Sequence, residues 1–307
     1  MILSENENLI TSLEQELLNL DPADPNFKKI KAKLEKLKRD TYSNLSAWDR
    51  VLIARSDKRI KAKALIDKLF TDFIELHGDQ YFSDDQSIIS GIAFLGDIPV
   101  TVLAQAKGEN LGDNLKRNFG MTSPEGFRKT LRLAKEAEKF KRPIITIVDT
   151  SGAYPGKGAE ERGQARAIAE NLYEFSQLET PVIAIILSEG GSGGALALTI
   201  SDYIFMFENA IYSVLSPEGF TSILFKDKVP VSEVCDVMKL TSMDLKEYKI
   251  VDEIISEPLG GIRYVSDAFA SDLREKLIKK INELQNKEVS DLVNDRYEKY
   301  RRIGSGK

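Results

Sequence analysis

Apolar residues recur at helical spacing at both ends of the chain and at strand spacing between them. Ile10, Leu13, Leu17 and Leu20 fall at intervals of three, four and three, which lines one face of an α-helix. Ser4 and Glu7 stand ahead of them at capping-box spacing. The run Asp21-Pro22-Ala23-Asp24-Pro25-Asn26 ends that helix, and Phe27, Ile30, Leu34 and Leu37 restart the pattern. Residues 1–50 therefore read as a helical hairpin. At the far end Phe269, Leu273, Leu277, Ile281 and Leu284 share one face, so residues 266–307 read as a C-terminal helical segment.

Between these ends strands and helices mix. Ile88 to Phe94 and Val100 to Ala104 read as strands around the Gly96-Asp97 turn. Ser123-Pro124-Glu125 is a helix start, with Ser at the cap and Pro in the first turn, and that helix extends to about Phe140. Pro143 to Val148 and Pro181 to Leu187 are dense β-branched strands, with a helix from Glu160 to Gln177 between them. A helix of small residues begins near Gly193. Short strands follow at Tyr203 to Phe207 and Tyr212 to Leu215, and a last one at Ile250 to Ile255. This alternation predicts an α/β fold. The pentapeptide Ser-Pro-Glu-Gly-Phe occurs at 123–127 and again at 216–220, and a repeated cap sequence accounts for it better than an internal duplication.

Composition narrows the chemistry. The 307 residues carry 43 basic and 48 acidic side chains, a net charge of −5, without the broad basic excess of a nucleic-acid binder. Lys28, Lys29, Lys31, Lys33, Lys36, Lys38 and Arg39 crowd the second hairpin helix, and a solvated face is the expected reason. With Cys235 the only cysteine and His77 the only histidine, neither an internal disulfide nor a cysteine zinc site can form. No apolar run spans a bilayer. The residues Met-Ile-Leu-Ser-Glu-Asn-Glu have neither the basic start nor the apolar core of a secretion signal, so a cytoplasmic location is expected.

Two glycine-rich loops each follow a strand and precede a helix: Asp149 to Gly158, and Glu189-Gly190-Gly191-Ser192-Gly193-Gly194-Ala195. Such a loop exposes backbone N–H groups at a helix N-terminus and favours developing negative charge. Gly152 to Lys157 has one residue too few for a phosphate-binding Walker loop, and Gly158 replaces its hydroxyl residue. Neither loop is a dinucleotide fingerprint. Gly190 to Gly194 fits the G-x-S-x-G nucleophile elbow, but no histidine follows Ser192, which removes the usual base. A backbone oxyanion hole needs neither His nor Cys, and acyl-thioester chemistry is its natural client.

At these loops the chain resembles the α subunit of bacterial acetyl-coenzyme A carboxylase carboxyltransferase, over about Ser46 to Ile303. The markers are Glu75-Leu76-His77-Gly78-Asp79, Arg117-Asn118-Phe119-Gly120-Met121, Pro124 to Lys129, Gly152-Ala153-Tyr154-Pro155-Gly156 and Gly158 to Gln164. Glu189 to Leu196, Ser216-Pro217-Glu218-Gly219, Glu257-Pro258-Leu259-Gly260-Gly261 and the tail Arg296 to Arg301 complete them. The resemblance implies a crotonase-like (ClpP/crotonase) superhelix of repeated ββα units, with residues 51–265 as the carboxyltransferase domain. It implies carboxyl transfer from carboxybiotin on a biotin carboxyl carrier protein, loaded by biotin carboxylase, to acetyl-coenzyme A, giving malonyl-coenzyme A for fatty acid synthesis. It implies a zinc-ribbon β subunit in an α2β2 assembly, with no metal on this chain.

By the same resemblance Gly193 and Gly194 are the catalytic oxyanion pair. Gly152, Ala153, Tyr154, Gly191 and Ala195 are the expected substrate-binding residues around them. Arg117, Arg128, Lys129 and Arg132 are candidates for coenzyme A phosphates, or plain helix-surface charges. His77 is expected to cap or pack at a helix end, and Asp149 to bond the backbone of its loop. The chain departs from the family pattern at Ser151 (usually Pro), at Ala106 within Gln105-Ala106-Lys107-Gly108, at Phe220 (Cys), Phe225 (Trp) and Ile262-Arg263 (Ala-His), and near Arg59-Ile60 (Arg-Pro). The competing readings are a self-contained crotonase-type hydratase or isomerase, a related decarboxylase component, and a non-catalytic interaction subunit.

Overall fold

The computed structural model describes residues 2–305, with side chains from Glu5 onward. Two helices, α1 (Ile2–Leu18) and α2 (Pro25–Tyr42), form the hairpin that the periodicity predicts. Asp24 caps α2 by accepting the Asn26 N–H at 2.7 Å. Ile10, Leu13, Leu34 and Tyr42 pack between the helices and reach Ile53, while Lys28, Lys29, Lys31, Lys33 and Lys36 face solvent. Leu20 lies beyond α1. The helix is already formed at Ile2, so Ser4 stands inside it rather than at a cap, and the Ser4 side chain lies outside the described residues.

The chain continues through α3 (Ala47–Arg55), opened by a Ser46/Asp49 capping box, and α4 (Ala62–Leu69). Then come β1 (Thr71–Glu75), β2 (Ile88–Leu95), β3 (Ile98–Gln105), α5 (Leu111–Lys116), α6 (Pro124–Lys139) and β4 (Ile144–Thr150). Next are α7 (Lys157–Glu161), α8 (Gln164–Gln177), β5 (Val182–Gly191), α9 (Ser192–Thr199), β6 (Tyr203–Phe207) and β7 (Ile211–Ser213). The last elements are α10 (Pro217–Phe220), α11 (Val231–Met238), α12 (Ser242–Glu247), β8 (Glu253–Ile255), α13 (Asp267–Gln285) and α14 (Val289–Arg302).

Among the described residues the strands form one sheet in the order β1-β2-β3-β4-β5-β6-β8, with β7 on β5. The β1–β2–β3 pairings are antiparallel and the rest parallel. Every residue of β4 and β5 is buried, as parallel strands covered on both faces must be. Leu65 and Leu69 of α4 and Leu273, Leu277 and Ile281 of α13 cover one face. Phe127 and Leu133 of α6, Phe175 of α8 and Leu198 of α9 cover the other. Each such side chain contributes about 1.5–3 kcal/mol on burial.

Several expectations need correction. The helix from Glu160 to Gln177 is two helices, broken at Arg162-Gly163, where Gly163 has φ +84°. Ser123 precedes α6 but its side chain caps nothing, while Ser216 does accept the Gly219 N–H at 3.0 Å. The last strand occupies only Glu253–Ile255, and the strand near Tyr212 ends at Ser213. His77 lies in the loop after β1, not at a helix end, and bonds Asp84 Oδ2 at 3.1 Å. The strand from Pro181 continues past Leu187 to Gly191.

That continuation shapes the site. Ile183 to Ile186 pair with β6, while Glu189 to Gly191 pair with β7. On its other edge β5 pairs Ile186 with Val148, and then Gly190 with Thr150. Leu187, Ser188 and Glu189 therefore stand opposite Asp149 alone, a bulge that turns the strand end. The Arg59 guanidinium fills the bulge, donating to the Leu187 carbonyl at 2.6 Å and the Ser188 hydroxyl at 2.9 Å. Its other edge holds Glu257 at 2.7 Å through two nitrogens, a bidentate pair. Burial works to raise the Glu257 carboxyl, but Arg59 and the backbone N–H groups of Asn209 and Ile262 outweigh it and hold it below its ordinary value.

Candidate functional site

The two glycine-rich loops meet backbone to backbone. A Cβ on Gly191 would overlap the Ser151 carbonyl oxygen, and one on Gly194 would lie 2.6 Å from the Gly152 carbonyl carbon. Gly152 itself has φ +148°, and Thr150 Oγ1 bonds both its N–H and its carbonyl. Ala153 bridges to Thr122, and Tyr154 N–H donates to the Thr122 carbonyl at 2.9 Å. The buried Gln164 amide donates to the carbonyls of Thr122 and Tyr154, at 2.8 and 3.0 Å.

Helix α9 starts directly from the strand, with Ser192 at φ +58° and no side chain capping the first turn. The N–H groups of Ser192, Gly193 and Gly194 point out of the helix start, where no intrahelical acceptor exists. Gly194 and Ala195 are buried and Gly193 is half-buried. A Cβ on Gly193 would meet only Ile168 Cγ2, at 3.6 Å. Ser192, Gly193 and Leu196 of α9 line a pocket of about 370 Å³ together with Tyr212, Val214 and Phe220. Tyr212 packs its ring on Gly190 and shares a 2.7 Å hydrogen bond with Thr199; burial pushes its hydroxyl up to about 12.

Of the site residues expected from the sequence, Gly191, Gly193, Gly194 and Ala195 come together with Gly152 and Ala153. Of the seven only Gly193 lines the pocket, and Tyr154 turns its ring onto Gly156. The four basic candidates are engaged within the chain. Arg117 holds Asp113 and the Gln86 carbonyl, Arg128 holds Asp79 and Glu125, and Arg132 holds the His77 and Gly78 carbonyls. Lys129 is buried on Asp84 at 2.6 Å and on the carbonyls of Asp85 and Ile88. Arg128, Lys129 and Arg132 fasten the segment from His77 to Ile88 to α6, Arg117 ties it to the end of α5, and none is free for phosphates.

A charge chain that no sequence motif marks lies beneath the loops. Lys107 Nζ stands 3.2 Å from Asp149 Oδ1 and 2.9 Å from Glu189 Oε2. Arg55 bonds Glu189 at 2.9 Å and Glu218 at 2.7 Å. Burial opposes charge on Lys107, but Asp149 and Glu189 outweigh it and hold the ammonium above its ordinary value. Burial likewise works to raise Glu189, and Lys107 with Arg55 pulls it below the usual range. The one local signal is Lys107 within Gln105-Ala106-Lys107-Gly108, because its partners come from other strands. Cys235 is buried and its thiol is pushed up to about 11, chiefly by burial, so it is not a nucleophile. Among the described residues no group of three or more His, Cys, Asp or Glu is placed to hold a metal ion. No helix among them is long and apolar enough to cross a membrane.

This mixed sheet, with β5 running into a glycine-rich helix start, is a crotonase-type fold shared with solved carboxyltransferases. Transcarboxylase 12S, solved with methylmalonyl-coenzyme A and methylmalonic acid bound, superposes with a TM-score of 0.62 at 20% identity, covering 79% of this chain and 44% of that one. This chain thus spans less than half of that structure's length. A family model described as acetyl co-enzyme A carboxylase carboxyltransferase-like matches residues 3–304, and the chain belongs to that family. It is 53% identical over 260 residues to a Clostridium botulinum acetyl-coenzyme A carboxylase carboxyl transferase subunit alpha, covering 85% of this chain and 95% of the relative. It is 50% identical over 277 residues to a Natranaerobius thermophilus protein named as the beta/alpha subunits of the same enzyme, covering 90% of this chain and 46% of that relative.

Proposed function

We propose that this chain is the alpha subunit of acetyl-coenzyme A carboxylase carboxyltransferase. In this reading it transfers the carboxyl group of carboxybiotin, borne by a separate carrier protein, to acetyl-coenzyme A and forms malonyl-coenzyme A. The observation that carries it is the start of α9, where backbone N–H groups of Gly193 and Gly194 have no intrahelical acceptor and Gly193 walls an apolar pocket. Identity to named alpha subunits over most of the chain supports it.

The pocket has room and an apolar lining for the bicyclic ring of biotin: Leu196, Val214 and Phe220 offer apolar contact beside Gly193. Carboxybiotin would supply the transferable carboxyl group. The chain's own part is to hold negative charge at the Gly193 and Gly194 N–H groups, reinforced by the dipole of α9. Fixed backbone donors need no reorganisation as that charge develops. Gly152 and Ala153 hold the α9 start from behind, and Gly191 and Ala195 flank it.

The thioester side of the reaction falls to a zinc-ribbon beta subunit in an α2β2 assembly, a pairing that the fused beta/alpha relative supports. The biotin carboxyl carrier protein and biotin carboxylase are the further partners of this reading, and the cytoplasm its location. We assign residues 1–50, 51–265 and 266–307 as hairpin, catalytic and C-terminal units on the same basis. The test is carboxyl transfer from malonyl-coenzyme A to free biotin, with this chain alone and with a co-expressed beta subunit. Activity in the mixture only is expected; a stable mixed complex with no transfer would overturn the reading.

A further inference from the structure

We propose that Lys107 is a positioning residue for the oxyanion donors of α9, an inference that rests on the function proposed above. Between the Val148–Ile186 and Thr150–Gly190 pairs the ladder is interrupted by the bulge, so Asp149 and Leu187 to Glu189 lack ladder pairing just before the two loops begin. Lys107 bridges that gap. Its ammonium binds Asp149, two residues before Ser151, and Glu189, two residues before Gly191. Ser151 and Gly191 form one of the two backbone contacts between the loops, the other being Gly152 with Gly194. The lysine therefore sets the spacing at the root of the contact between the loops.

Gln105, two residues earlier, fixes the other side. It is fully buried, and its Nε2 donates to the Gly194 carbonyl at 2.8 Å. One short segment thus holds both the strand ends and the first turn of α9.

A separate observation places a turn in left-handed backbone conformation against the same cluster. Asn118, Phe119 and Gly120 have φ of +49°, +55° and +80°. A non-glycine residue in this region, Phe119 above all, is strained. The strained turn lies directly over the cluster: a Cβ on Gly120 would stand 2.8 Å from Lys107 Cγ and 2.9 Å from the Asp149 carbonyl oxygen. A buried ion pair of this kind adds little to stability compared with apolar packing. Strain and burial spent on one lysine fit a demand for geometry, since a displacement of about 1 Å at a reacting centre can cost about 10²-fold in rate.

The test uses the complex of this chain with its beta subunit and three measurements: malonyl-coenzyme A to biotin transfer, thermal melting, and amide hydrogen exchange over 149–154 and 190–195. Lys107→Met is expected to lower kcat about 10²-fold with KM for malonyl-coenzyme A unchanged, and to speed exchange in both segments. Lys107→Met/Asp149→Asn removes one charge of each sign and so keeps the cluster's net charge. It is expected to recover the melting temperature but not kcat. Wild-type kcat in the single variant, or recovery of kcat together with stability in the double variant, would overturn the proposal. If the wild-type complex itself transfers no carboxyl group, the functional reading fails; unchanged hydrogen exchange in the double variant would then sink the positioning role separately.

Discussion

Gly194 lies against Gly152 so closely that a Cβ at position 194 would stand 2.6 Å from the Gly152 carbonyl carbon. The neighbouring Gly193 has no such restraint, with its nearest contact at 3.6 Å. The two members of the proposed donor pair are glycine for different reasons. One needs room for protein backbone and the other leaves room at the pocket wall.

The pair should therefore separate by mutation. Gly194→Ala forces the loops apart and is expected to destabilise the chain by about 1–3 kcal/mol, as overpacking does. Gly193→Ala should fold with an unchanged melting temperature and still lose transfer activity, because its methyl group intrudes beside the donors. Melting curves and transfer assays on both variants check this. A Gly193→Ala complex with full activity would remove Gly193 from the site.

Arg59 and Glu257 form a pair whose side chains are 2% and 0% exposed. Replacing Arg59 with Met leaves Glu257 charged and buried, and strands the Leu187 carbonyl in the bulge. The expected loss is about 3–5 kcal/mol, read by urea unfolding. Because the bulge aims the strand end at α9, residual folded protein should also transfer more slowly.

Arg296 is the counterpart in the C-terminal helices. It binds Asp202 through two nitrogens at 2.8 Å and also donates to the carbonyls of Phe175, Leu178 and Thr180 around the end of α8. Arg296→Leu should cost about 3–5 kcal/mol. Exchange of the amides near 175–182 should rise first if α14 is the clamp on that helix end.

Stability should be flat across neutral pH and fall at both extremes. Glu189 and Glu257 are held below their ordinary 4.5, so their contribution is present above that pH and lost as pH falls through the folded values. Lys107 is held above its ordinary 10.5, so its contribution is present below that pH and lost above the folded value. Lys299 is lowered, chiefly by burial, and offsets part of the alkaline loss. Melting temperatures from acid to alkaline buffers test the shape; a maximum confined to acidic pH would contradict these ion pairs.

Much of this architecture is legible in the chain's periodicity. Ile10 to Leu37 mark the hairpin, and the β-branched runs at 144–148 and 182–187 mark the central strands. Strand β1 is not legible, because Thr71–Glu75 is an edge strand that is mostly exposed, with Asp72 at φ +52° interrupting any alternation. The break at Gly163 is hidden because a single glycine among polar residues, Glu160-Glu161-Arg162 and Gln164, is also tolerated within a continuous helix. The loops show as glycine clusters, but their contact does not, since Ser151 and Gly191 meet only through strand pairing. The Lys107 cluster shows locally only as Lys107 in Gln105-Ala106-Lys107-Gly108; its partners Asp149 and Glu189 come from β4 and β5, and no local pattern links them.

The surplus residues of β5 also bear on how the gene can vary. Leu187, Ser188 and Glu189 are counted against Asp149 alone, and Arg59 is cut to the length of that bulge. Deleting or inserting a single codon there would leave Arg59 without its acceptors and swing Gly190 to Gly194 away from the first loop. The loops outside the sheet have no such tally to keep. Length variation in this chain should therefore accumulate elsewhere, with residues 187–194 behaving as a fixed measure.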